Sequence, residues 1–268
     1  MLKLGGDLHR AVFDRVAAYP KGRVLDAGAG SGELARKLAA LGQDMALCDC
    51  VPASQWNYHD AGAYTQCDLA AGLPYPDESF DCVICLEVIE HMENPMALCR
   101  ELWRVLRPGG RLLISTPNIL SLRSRVKFLL DGSFVFFNYP LIEWDQRDGR
   151  PNVHVHPIRF HELEYYLYRA GLEVETVFTN LRSYGWRLLL PLEWLIRLYA
   201  RHMTKRSRRP DRIPLDRIYR RILSDDVLFG THLILEAVRP PAPQAGARPA
   251  LNPDPRPTGE TGPTGVKG

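Results

Sequence analysis

Val24-Leu25-Asp26-Ala27-Gly28-Ala29-Gly30-Ser31-Gly32 is the stretch on which the fold turns. Arg23–Asp26 is a short apolar run that reads as a strand, and Glu33–Leu41 has helical periodicity with Gly42 as its stop. Three glycines in five residues join the two. Glycines in a strand-to-helix turn let a ligand approach the backbone, and the free N–H groups of the following helix face it. A dinucleotide fingerprint G-x-G-x-x-G begun at Gly28 needs its third glycine where Glu33 stands. That departure counts against a nicotinamide or flavin enzyme.

Outward from this loop, helix and strand patterns alternate. Asp7–Tyr19 is amphipathic, with Leu8, Val12, Phe13 and Val16 on one face. Strands are expected at Met45–Cys48, which runs into Asp49, and at Ala63–Cys67. Ser79–Leu86 is a nearly continuous apolar run, as in a parallel sheet covered on both faces. A helix over Pro95–Leu106 ends at Arg107-Pro108-Gly109-Gly110, and Arg111–Ser115 is a fifth strand. Ile119–Leu130 and His161–Ala170 read as helices, and Leu172–Thr179 and Thr231–Val238 as the last strands. The alternation predicts a doubly wound, mostly parallel sheet of α/β class with a helical insertion before the last strand. Asp131–Val153 is an aromatic loop with Phe134, Phe136, Phe137, Tyr139 and Trp144, read as a lid. Residues 182–226 form the insertion, and the Pro/Gly-rich stretch 240–268 is expected to be disordered.

The pattern D-x-G-x-G-x-G at Asp26–Gly32 resembles the first motif of class I S-adenosylmethionine-dependent methyltransferases, the ubiquinone-pathway O-methyltransferases in particular. Further segments fit in order: Asp49, CDLAAGLPYPDESFD with Asp68, FDCVICLEVIEHMENP, and LRPGGRLLISTPN. The resemblance implies a seven-stranded Rossmann-like domain over residues 1–181 and 227–239. It implies S-adenosylmethionine bound by Asp26, Gly28, Ala29, Gly30, Gly32, Asp49, Cys50, Asp68, Leu69 and Leu86. Asp49 would hold the ribose hydroxyls and Asp68 the adenine amino group, with Leu69 lining the adenine slot.

Glu87-Val88-Ile89-Glu90-His91 follows the fourth strand. In a helix, positions 87, 90 and 91 share one face, and Val88, Ile89 and Met92 point toward the core. Two carboxylates and an imidazole suit a divalent cation such as Mg, Mn or Zn. The E-x-x-E-H string resembles that of metal-dependent ubiquinone-pathway and small-RNA 2′-O-methyltransferases. The resemblance adds a distal histidine, with His156 the nearer match and His154 the other candidate. His91 or His156 acting as a general base, and a structural role for all four residues, stay open beside the metal. Cys48, Cys82 and Cys85 fall inside strands, where free cysteine behaves as a small hydrophobe, so a zinc site is not expected there.

The chain has 268 residues, 46% of them hydrophobic and 24% charged, which excludes a largely disordered protein. Residues 1–120 carry 11 Lys/Arg against 15 Asp/Glu, and residues 121–268 carry 23 against 16. The insertion WRLLLPLEWLIRLYARHMTKRSRRPDR places Trp186, Trp194 and leucines beside Arg201, Lys205, Arg206, Arg208 and Arg209. That composition fits either an interfacial membrane helix or a core-capping helix with a solvated basic tail. The chain opens MLKLGGDLHR without a signal-type apolar run, so a cytoplasmic protein, peripheral on a membrane, is expected. No RNA module is visible, and nucleic acid is not expected as partner. The reading is methyl transfer to an oxygen of a small or lipid-linked acceptor. An RNA 2′-O-methyltransferase and a non-catalytic S-adenosylmethionine-binding module are the rivals.

Overall fold

Val24, Leu25 and Ala27 are at most 1% exposed, because β1 (Arg23–Ala27) runs through the middle of a sheet with helices on both sides. The computed structural model describes residues 4–55, 60–137, 154–183, 190–207 and 216–241. Six further strands are β2 (Asp44–Asp49), β3 (Ala63–Gln66), β4 (Phe80–Leu86), β5 (Leu106–Pro117), β6 (Glu173–Phe178) and β7 (His232–Val238). Their order is β3-β2-β1-β4-β5-β7-β6. The first five strands pair in parallel, and β7 lies antiparallel between β5 and β6.

The helices are α1 (Leu4–Ala17), α2 (Glu33–Ala40), α3 (Pro95–Val105), α4 (Leu122–Asp131), α5 (Phe160–Ala170), α6 (Leu190–Ser207), α7 (Asp216–Ile222) and α8 (Asp225–Phe229). One face of the sheet buries Leu25, Phe80, Val83 and Leu112 against Leu98 and Leu102 of α3 and Leu163 and Leu167 of α5. The other buries Val24, Leu47, Ile84 and Leu113 against Val12 and Val16 of α1 and Leu34 and Leu38 of α2. The strand–helix alternation expected from the sequence is therefore present, with three adjustments. Arg107–Gly110, expected as the stop before a strand at Arg111, lies within β5. The helix expected from Ile119 starts at Leu122, because Ser121 is its N-cap and its side chain accepts from the Ser124 N–H at 3.2 Å. Glu87–His91 is not a regular helix: Ile89–His91 is a single 3₁₀ turn.

The described part of the 182–226 insertion holds α6, α7 and the start of α8. Tyr139 and Trp144 of the aromatic loop, Trp186, and residues 242–268 lie outside the described residues. Cys48, Cys82 and Cys85 are buried in the strands where the sequence placed them.

Candidate active site

The parallel strands β1, β2 and β4 all end at one edge of the sheet, and the site residues stand along it. After Ala27 the chain turns through Gly28, Gly30 and Gly32, whose φ values are 83°, 53° and 72°. These angles lie in the left-handed region where a Cβ is strained. The N–H groups of Gly28 and Ala29 both donate to the Cys48 carbonyl, at 2.8 and 3.2 Å, which ties the loop to β2. Gly30 N–H donates to Asp49 Oδ2 at 2.8 Å, and Val51 N–H donates to Asp49 Oδ1 at 3.1 Å. A carboxylate has about four lone-pair sites, so Asp49 keeps acceptor capacity for two hydroxyls.

The glycines differ in what surrounds them. A Cβ at Gly28 would run into Val88 Cγ2, with Leu69 Cδ1 also close at 3.7 Å. At Gly30 it would meet no protein atom within 4 Å. The loop is thus a cradle that a side chain would fill, with the remaining acceptor capacity of Asp49 beside it. Asp68 is exposed and turns the chain by accepting from the Ala70 N–H at 2.9 Å; Leu69 beside it is half-buried. Cys50 is exposed, and Leu86 is half-buried at the end of β4. Asp26 is 4% exposed, and burial, then the Asp49 charge, push its carboxyl up to about 7.

The second half of the site begins where Val88 touches the glycine loop. Glu87 has φ 53°, a strained angle for a non-glycine residue. Its N–H donates to Ser115 Oγ at 3.1 Å, and that hydroxyl donates to Glu87 Oε1 at 2.7 Å. Its other oxygen lies 3.4 Å from His232 Nε2. Burial pushes the Glu87 carboxyl up to about 7. Glu90 is fully buried, and neither of its oxygens meets a hydrogen-bond donor. Burial, then the adjacent Glu87, hold the Glu90 carboxyl well above the usual range.

Ligand atoms of Glu90, His91 and His154 lie within 4.8 Å of one another. Of the four residues expected to share a metal, Glu90 and His91 lie in this group, and Glu87 and His156 lie outside it. Glu87 is turned by its left-handed backbone toward Ser115 and His232. His154, rather than His156, reaches His91, with ring centroids 4.7 Å apart. His156 donates its backbone N–H to the Glu90 carbonyl at 3.0 Å, and its Nδ1 is buried without a partner. His154 Nδ1 lies 3.0 Å from the Phe136 carbonyl, which can only accept, so Nδ1 carries the hydrogen and Nε2 offers a lone pair.

His232 escaped sequence reasoning. It opens β7, and the antiparallel run of that strand brings it beside Pro117, at the edge where β4 and β5 end. The Phe136 ring stacks on it at 5.3 Å between centroids. Burial, then the His154 charge, push His232 down to about 4, so it is neutral at physiological pH. The signal available in the sequence was only its place at the start of the last strand.

A doubly wound sheet of this order, with a glycine cradle and an acid on the neighbouring strand, is the fold of class I methyltransferases. Residues 25–114 match the family of the methyltransferase domain, and the chain belongs to the class I S-adenosylmethionine-dependent methyltransferases. It is 37% identical over 111 residues to a ubiquinone biosynthesis O-methyltransferase of Xanthomonas campestris, covering 38% of this chain and 45% of that one. A protein of the same name from Xylella fastidiosa is 32% identical over 178 residues, covering 62% and 66%. The chain thus spans less than half of the Xanthomonas relative's length.

Two solved structures share the fold at low identity. An S-adenosylmethionine-dependent methyltransferase from Mesorhizobium loti has a TM-score of 0.51 at 16% identity, covering 88% of this chain and all of that one. The Haloferax volcanii chain solved with the Trm112 methyltransferase activator has a TM-score of 0.54 at 17% identity, covering 87% and 89%.

Proposed function

We propose that this chain transfers a methyl group from S-adenosylmethionine to an oxygen of a small or lipid-linked acceptor. The observation that carries the reading is the contact of Val88 with Gly28. It brings the Glu87–His91 turn against the glycine loop, which supports a reading in which donor and acceptor share one cleft. S-adenosylmethionine supplies an electrophilic methyl on a sulfonium, so the protein's task is to hold two reactants in line. Alignment of that kind is worth up to about 7–11 kcal/mol.

In this reading the glycine loop and Asp49 hold the cofactor, with Asp68 and Leu69 at its base. Glu90, His91 and His154 would hold a divalent cation (Mg, Mn or Zn), which would supply a Lewis acid to the acceptor oxygen. The buried Glu90 carboxyl without a hydrogen-bond partner, which would yield its proton to a cation, and the His154 Nε2 lone pair support this set. Glu87 and His232 position the cluster from behind, and Phe136 covers it.

Calorimetry should give binding of S-adenosylmethionine and of its demethylated product. Metabolites of a deletion strain should include a species lighter by one methylene. Turnover should vanish in excess chelator and return with one of the three metals, and Glu90→Ala should lose turnover while keeping cofactor affinity. Full turnover in chelator removes the cation and leaves His154 Nε2 as the proton acceptor. Cofactor binding with no lighter metabolite points to a binding module instead.

A further inference from the structure

Helix α6 has a face that no other described residue covers. Its inner side is set by Ala200, 3% exposed, and by Ile196, which packs on Leu122, Leu228 and Phe229. On the opposite side Trp194 is 63% exposed, Leu195 54%, Leu198 48% and Tyr199 61%. At about 100° per residue these four fall in one arc. Arg201, His202 and Lys205, all exposed, fall in the same arc one to two turns further on. One face of a single helix therefore passes from apolar to basic along its length.

The surroundings extend that face. A cavity of about 380 Å³ opens between α4, α6 and α7, lined by Leu195, Tyr199, Tyr219, Ile222 and Leu223 with Arg125 in its wall. Leu129, one turn beyond Arg125 on α4, is 76% exposed, and Leu130 is 81% exposed. An apolar surface of this kind on a soluble domain marks a place of docking. No helix among the described residues is long and apolar enough to cross a membrane.

We propose that α6 docks the protein on the surface of an anionic phospholipid bilayer. Trp194, Leu195 and Leu198 enter the headgroup region, and Arg201 and Lys205 meet lipid phosphates. Charge complementarity selects this occupant. The basic end of the face continues in sequence as Lys205-Arg206-Ser207-Arg208-Arg209, within a half-chain of 23 basic against 16 acidic residues. Tryptophan and tyrosine beside leucine are the side chains suited to the boundary between water and hydrocarbon. The proposal concerns binding and stands apart from the reading of the acceptor.

Flotation of the full chain with phosphatidylglycerol-containing vesicles, against pure phosphatidylcholine vesicles, tests it. At low salt the anionic vesicles should carry at least about five-fold more protein, and high salt should remove the difference. The double variants L195E/L198E and R201E/K205E change only exposed side chains that belong to no part of the candidate active site. Each should cut the floated fraction by about five-fold, at unchanged melting temperature and unchanged affinity for S-adenosylmethionine. Equal recovery with both vesicle types overturns the proposal, as does wild-type flotation of both doubles. A dimer that L195E/L198E dissociates, in a protein that does not float, assigns the face to a second copy instead.

Discussion

Asp26 and Gly30 make opposite demands on the glycine loop. Burial raises the Asp26 carboxyl from 3.8 to about 7 in the folded chain. Below pH 3.8 both folded and unfolded forms hold the proton. Between there and about 7 the unfolded chain loses it first, so stability falls as pH rises, by roughly 4 kcal/mol at most. Asp26→Asn should therefore raise the melting temperature at pH 8 and change it little at pH 4, as thermal denaturation at the two values will read. Gly28 and Gly30 should separate in the same way. Gly28→Ala drives a Cβ into Val88 and should lower stability, whereas Gly30→Ala meets no protein atom. It carries only the left-handed strain of about 1–2 kcal/mol. Calorimetry should then show at least about a ten-fold loss of affinity for S-adenosylmethionine in Gly30→Ala; wild-type affinity would move the cofactor away from this loop. The fold of this stretch was legible in the sequence because it is local: strand, glycines and helix follow one another within twenty positions.

At the scale of elements, the acid–histidine cluster was legible only in part. Glu87, Glu90 and His91 announce themselves by spacing, but the helix their spacing suggests is replaced by a left-handed residue and one 3₁₀ turn. That turn sends Glu87 toward Ser115 and keeps Glu90 beside His91. The choice of His154 over His156 depends on the Phe134–Phe137 segment. Phe136, at φ 72°, offers its carbonyl to His154 and its ring to His232. No periodicity in the sequence encodes such a crossing. The start of α4 is set by a short-range signal, Ser121 capping Ser124. Ser121→Ala should cost about 1 kcal/mol, measurable by denaturant unfolding; an unchanged midpoint would mean that α4 is held by packing on α8 alone.

Across the whole molecule, Glu236 joins elements far apart in sequence. It is fully buried in β7 and accepts from Tyr19 Oη at 2.6 Å, Arg111 Nη1 at 2.5 Å and Arg15. Burial alone would raise its pKa, but hydrogen bonds from Tyr19 and Arg15 outweigh it and hold the carboxyl below the usual range. Its contribution is therefore complete above the unfolded value near 4.5 and lost as pH falls through the folded one. Glu236→Ala should destabilise by about 3 kcal/mol at pH 7 and by clearly less at pH 3. Chemical denaturation at both values tests this, and a loss that does not depend on pH would assign the effect to packing.

The antiparallel lie of β7 also sets an order of events during synthesis. The cofactor cradle, Asp49 and the Glu87–His91 turn leave the ribosome early, while β5 waits with one edge unpaired. β6 is made before β7 yet has no other described strand to join, since β7 is its one neighbour among the described residues. When β7 arrives it fills the gap between them and delivers His232 to the cleft in the same movement. A nascent chain thus carries its cradle before the acid–histidine cluster is whole, and the open edge of β5 is where a chaperone would find it.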